Sequence, residues 1–167
     1  RICLVGSEMC IRDRVYPIGL SCIATALDNA GHTPWIVDLN VGGEPFKRLA
    51  REIDRFQPDV VGVSQRNIDS TTRKAPFVYH TQLRPTLDII RKHAPHAATI
   101  IGGPGFTQSS DAFFERYSFD FGVKSEGEET IVSLLNNLSS PQKVRGVFHR
   151  GEGGSSLYTC LLYTSPS

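Results

Sequence analysis

The chain has 167 residues, 40% of them hydrophobic and 21% charged, with a net charge of +1; this suits one domain with a sizeable core and is short for two. Near-neutral charge, with basic residues scattered among acidic ones, leaves no electrostatic case for nucleic acid or anionic lipid as a partner, and no apolar run approaches the roughly 18 residues of a membrane helix. Cys3, Cys10, Cys22 and Cys160 show neither CxxC nor CxxxCxxC spacing, and no signal-peptide pattern opens the chain, so reduced thiols and a cytoplasmic location are expected.

RICLVG (residues 1–6) reads as a short buried strand. From Pro17 the chain turns helical, with Leu20, Ile23, Ala24 and Leu27 on one face until Gly31 stops it. TPWIVDL (33–39) is a second strand, and Phe46, Leu49, Ala50, Ile53 and Phe56 trace a second amphipathic helix that ends before Pro58. Residues 59–64 form a third strand. Leu83, Leu87 and Ile90 mark a third helix, with Pro85 suited only to its first turn or a kink. ATII (98–101) is a fourth strand. Ser109 or Ser110 caps a short helix carrying Phe113, Phe114 and Tyr117, residues 119–123 form a fifth strand, and a last helix runs over Ile131, Leu134, Leu135 and Leu138.

Five short apolar strands alternating with five helices make βαβ units. They predict an α/β fold: a flavodoxin-like, doubly wound, parallel five-stranded sheet with helices on both faces. Residues 144–150 are a candidate edge strand, and no element is expected beyond them. The domain is therefore set at residues 1–140, with 141–167 as an edge strand and then a disordered or artefactual tail. The chain opens at Arg1 without an initiator methionine and ends in SSLYTCLLYTSPS, so a fragment of a longer protein is expected. SEMCIRDR (7–14) and LLYTSPS (161–167) resemble translated sequencing-adapter DNA; the alternatives are a surface loop and a disordered tail.

Ligands of such sheets bind beyond the carboxyl ends of the strands, which directs attention to residues 7–16, 40–43, 64–78, 102–108 and 124–128. The first of these loops lacks GxGxxG and GxxxxGK[ST], which lowers the case for a nucleotide cofactor. A phosphoacceptor domain would want an aspartate where the third strand ends in Ser64. In GGPGFT (102–107), glycines at a strand end let a ligand lie against bare backbone; the plainer reading is a tight turn. Ser125 and Glu128 have capping-box spacing, so SEGEET (125–130) has a structural reading too. RNID (66–69) reads equally as a solvated turn. Three such loops at one edge of one sheet favour a site.

PIGLSCIATALDNAGH, PDVVGVSQRNID, IIGGPGF and the EGE of SEGEET stand here in an order and spacing similar to the N-terminal cobalamin-binding domain of radical S-adenosylmethionine enzymes. The resemblance covers about residues 1–138, apart from 7–14. It implies that Ser64 and the pair Gly102 and Gly103 line the slot for the cofactor's nucleotide tail. It implies further that the corrin rests over the loop ends, near Arg66, Asn67, Pro104, Gly105, Phe106 and Glu126, Gly127, Glu128. Cobalamin-dependent mutases carry a DxHxxG motif whose histidine ligates cobalt. No such motif occurs here, and His32, His80, His93, His96 and His149 occupy no obvious axial position. His32, His93 and His96 read as solvated surface residues beside helix ends. The resemblance thus implies cobalamin without a histidine ligand and no protein metal site. The family's EGE run follows a glycine, and Ser125 stands in that place.

In that family a CxxxCxxC motif holds a [4Fe-4S] cluster that cleaves S-adenosylmethionine. The motif is missing here, so no catalytic residue is assigned. The expected partners are cobalamin and a downstream radical S-adenosylmethionine domain of the same parent chain, which resembles a methyltransferase. Alternatives are a stand-alone cobalamin carrier or sensor, and a flavodoxin-like domain for a nucleotide or flavin.

Overall fold

A computed structural model describes residues 1–6, 16–68 and 79–159. The adapter-like stretches 7–14 and 161–167, and the end of the polar run after Ser64, lie outside the described residues, as do Cys10 and Cys160. The elements in chain order are β1 (Ile2–Gly6), α1 (Ile18–Asn29), β2 (Pro34–Asp38), α2 (Pro45–Phe56), β3 (Val60–Ser64), α3 (Leu83–His93), β4 (Ala98–Gly102), α4 (Pro104–Gln108), α5 (Ser110–Arg116), β5 (Phe121–Val123), α6 (Glu128–Leu135), β6 (Val147–Arg150) and β7 (Ser156–Tyr158).

The strands form one sheet in the order β2-β1-β3-β4-β5-β6-β7. The first five are parallel, in the doubly wound order expected from the sequence. The expected count of five strands is corrected to seven among the described residues. Val147–Arg150 is the anticipated edge strand, and Ser156–Tyr158 adds another where no element was expected; both pair antiparallel. The sheet therefore runs on past residue 140, and Phe148 is buried among Phe106, Phe114 and Tyr158.

Strand alternation divides the core. Cys3, Val5, Val61, Val63 and Ile101 face α2, α3 and α5, whereas Ile2, Leu4, Val60, Ile100 and Val123 face α1 and α6. Each fully buried Leu, Ile or Phe contributes about 1.5–3 kcal/mol relative to an exposed one, so both layers hold the sheet. Pro85 sits in the first turn of α3, where its missing N–H is harmless.

Candidate cofactor slot

Two adjoining cavities open at the carboxyl edge of the sheet. The larger, about 490 Å³, is a slot on the α1 and α6 face. Its floor is Leu4 of β1, Gly62 of β3, Ile100 of β4 and Val123 of β5; Leu20 and Ile23 of α1 form one wall and Ile131 of α6 another. Gly62 keeps the floor deep, because a Cβ there would lie 3.1 Å from the Leu4 Cδ2. Its mouth carries Ser64, Gly102, Gly103, Pro104, Thr107 and the run from Ser125 to Glu128. The smaller cavity, about 280 Å³, lies over the ends of β1, β2 and β3 and is more polar: Asp38, Asn40, Ser64 and Arg66 line it with Tyr16 and Ile18. Ser64 and Pro104 border both.

The loops after β3 and β4 are tied backbone to backbone. The Gln65 N–H donates to the Gly102 carbonyl at 2.8 Å, and the Gly105 N–H donates to the Gln65 carbonyl at 2.8 Å. Gln65 is fully buried and its side-chain amide donates to the Asn67 carbonyl. This explains the glycines differently from the sequence reading. A Cβ on Gly103, at φ 96°, would lie 2.7 Å from the Gln65 carbonyl oxygen, and one on Gly105 would lie 3.0 Å from it. Both are glycine because neighbouring backbone approaches them, and Gly103 also lines the slot.

GGPGFT is more than a turn: Pro104 begins the short helix α4. Gly105 is buried and borders neither cavity. Phe106 is fully buried on the opposite face, edge-on to Phe148 with ring centroids 5.8 Å apart. Phe106 thus borders neither cavity. Phe106 also accounts for Gly122 in β5, whose Cβ would meet the Phe106 ring at 2.6 Å. Arg66 reaches the smaller cavity, while Asn67 is exposed and lines neither.

The capping box at SEGEET does not form. Gly127 is the N-cap of α6, no side chain caps the helix, and Ser125 stands at φ 71°. That left-handed backbone is the conformation glycine adopts most readily, the residue that precedes EGE in the resembled family. The Ser125 N–H donates to Thr107 Oγ1 at 3.1 Å, and Thr107 donates to the Gly103 carbonyl at 3.2 Å, joining α4 to the loop before α6. Ser109 caps α5 by position without a side-chain bond.

None of the five histidines borders either cavity. His93 is not freely solvated as expected: Nδ1 lies 2.8 Å from Asp54 Oδ1, linking α3 to α2. His80 meets the Tyr117 hydroxyl at 3.0 Å, and His149 is buried in β6. No cluster of potential metal ligands occurs among the described residues, and none of their helices is long and apolar enough to cross a membrane. Sequence reading missed Leu4, Ile23, Gly62, Ile100, Val123 and Ile131. Gly62 was visible, since glycine inside a strand marks a close approach; the others look like ordinary core residues.

The family model for the B12 binding domain matches residues 9–135. The chain belongs to that family. As a B12-binding domain it is 28% identical, over 132 residues, to tryptophan 2-C-methyltransferase of Streptomyces laurentii, covering 77% of this chain and 22% of that protein. It is 27% identical to cytidylyl-2-hydroxyethylphosphonate methyltransferase of Streptomyces wedmorensis, covering 83% of this chain and 28% of that one. Its fold matches the radical S-adenosylmethionine methyltransferase TsrM of Kitasatospora setae, solved with cobalamin and a [4Fe-4S] cluster, at TM-score 0.84 and 24% identity, over 95% of this chain and 30% of that chain. It also matches the cobalamin-dependent radical enzyme OxsB at TM-score 0.77 and 19% identity, over 98% and 22%. The chain thus spans less than a third of the length of these relatives. Cobalamin is the cofactor of the B12-binding domain family.

Proposed function

We propose that this domain holds cobalamin at the carboxyl edge of its sheet, with the nucleotide tail in the slot between α1 and α6 and the corrin over the smaller cavity. The observation that carries the reading is the slot itself: a deep apolar cleft entered past Ser64, Gly102 and Gly103, the positions the resemblance assigns to the tail. The residues fit the group. The floor offers hydrocarbon to an aromatic base, while Ser125, Glu126 and Glu128 offer hydrogen-bond acceptors at the mouth, where the hydroxyls of a ribose leave a cleft. Beside the smaller cavity, Asn40 Oδ1 is buried without a hydrogen-bond partner among the described residues, an acceptor suited to an amide of the corrin rim. Glu126, Gly127, Arg66 and Pro104 complete the surround; Asn67 contributes by accepting the Gln65 amide.

Because no histidine borders the cavities, no side chain of that kind ligates cobalt in this reading. Bound cobalamin supplies a redox-active cobalt that supports methyl transfer. The chain's own residues bind and orient it, and the slot keeps water from the tail. The parent is a cobalamin-dependent radical S-adenosylmethionine enzyme resembling the methyltransferases above, whose downstream domain holds S-adenosylmethionine and a [4Fe-4S] cluster.

Equilibrium dialysis of the 167-residue chain against hydroxocobalamin tests the reading. Saturable one-to-one retention is expected, weakened at least tenfold by Ser64→Leu, with unchanged circular dichroism showing that the variant folds. Retention unaffected by Ser64→Leu would remove the tail from the slot, and no retention by the folded wild-type chain at about 100 μM would remove cobalamin from the assignment.

A further inference from the structure

The slot interior differs from its mouth in a way that selects among cofactors. The side chains that line the interior are Leu4, Leu20, Ile23, Ile100, Val123 and Ile131, with the bare Gly62 between them. Not one offers a hydrogen bond. The hydroxyls and carboxylates of Ser64, Thr107, Ser125, Glu126 and Glu128 stand at the rim. Thr107 already accepts from the Ser125 N–H and donates to the Gly103 carbonyl. A base entering this cleft gives up its water contacts and meets mostly hydrocarbon.

Cobamides share the corrin and differ in the base of the tail. A dimethylbenzimidazole presents C–H and methyl groups along its six-membered ring. An adenine presents two ring nitrogens and an amine there, each of which loses a hydrogen bond to water when enclosed by Ile and Val. Burying such groups unpaired is the costly case, while burying methyl groups is favourable. A polar-lined site would treat the two bases alike or favour the purine. From these contacts we infer that the slot is a selectivity filter for the lower base: it accepts cobamides with an apolar benzimidazole tail and rejects those with a purine tail. The inference rests on the proposed occupancy of the slot by the tail.

The test compares three probes in the same upper-ligand form by equilibrium dialysis with the 167-residue chain: cobalamin, adeninylcobamide and the tail-less cobinamide. Cobalamin is expected to bind at least tenfold more tightly than adeninylcobamide, which falls toward cobinamide. Equal binding of the two tailed forms, both tighter than cobinamide, would overturn the selectivity and leave the tail in the slot. Equal binding of all three would show that the tail lies elsewhere, and binding of none would fail the cobalamin reading itself. Val123→Thr keeps the side-chain shape and replaces a methyl of the slot lining with a hydroxyl. It is expected to narrow the gap between the tailed forms, and an unchanged gap would overturn the inference that the slot lining reads the base.

Discussion

Ser125 carries a backbone conformation that its side chain disfavours. At φ 71° a β-carbon costs about 1–2 kcal/mol relative to the right-handed region, and nothing in its hydrogen bonding needs the hydroxyl, since the bond to Thr107 uses the backbone N–H. Ser125→Gly is therefore expected to stabilise the fold by about 0.5–1 kcal/mol after the added freedom of the unfolded chain is counted. For a chain of this size that raises the thermal midpoint by about 1–4 °C; a calorimetric scan showing a lower midpoint would contradict the strain. At Cys3 the environment acts on a proton. Burial between the sheet and the helices on its face, with a smaller contribution from Glu52, pushes its thiol from 9.0 up to about 12. Above pH 9 the unfolded chain releases that proton while the folded chain keeps it. The contribution is whole below pH 9 and declines as pH rises toward 12, by at most about 1.4 kcal/mol per pH unit. Urea melts at pH 8, 9 and 10 are expected to weaken between the last two, and Cys3→Ala is expected to flatten that decline. An unflattened decline in the variant would assign it to other groups.

Elements were legible where their periodicity was long, and less so where tertiary packing decided. The spacing of apolar residues in α1, α2 and α3 and the short apolar runs of β1 to β4 appear in the structure close to where the sequence puts them. α4 was hidden because Pro104 and Gly105 read as turn residues, yet proline is at home in a first helical turn and the helix is held by Phe106 beneath it. β7 was hidden because SLY has too few residues for a pattern; it exists through pairing with β6. Arg150 shows how tightly that edge is joined. Its guanidinium donates to the Phe114, Tyr117 and Phe119 carbonyls and lies 4.2 Å from the Phe114 ring centroid. Beside it, Phe148 is 1% exposed in the core. Phe148→Ala is expected to cost about 3–5 kcal/mol in chemical denaturation. A loss below about 1 kcal/mol would mean that β6 and β7 are an appendage rather than part of the domain.

At the scale of the whole molecule, two cavities meet at the switch in strand order between β1 and β3, where sheets of this topology receive ligands. The polar rim of that site was legible, because Ser64, Gly103 and the EGE run interrupt the patterns of strand and helix. Its apolar interior was not: Ile100, Val123 and Ile131 serve core and slot with the same side chains, and only the open space above Gly62 distinguishes the two roles. The central claim is that the nucleotide tail leaves cobalt to occupy this slot while no histidine replaces it. Electron paramagnetic resonance of the chain loaded with reduced, Co(II) cobalamin tests it most directly, because an axial nitrogen on cobalt splits each hyperfine line into three. The account predicts a spectrum without that splitting, in which neither the tail base nor a histidine is bound to cobalt. A three-line pattern from bound cofactor would contradict it and place a nitrogen where the slot should have drawn it away.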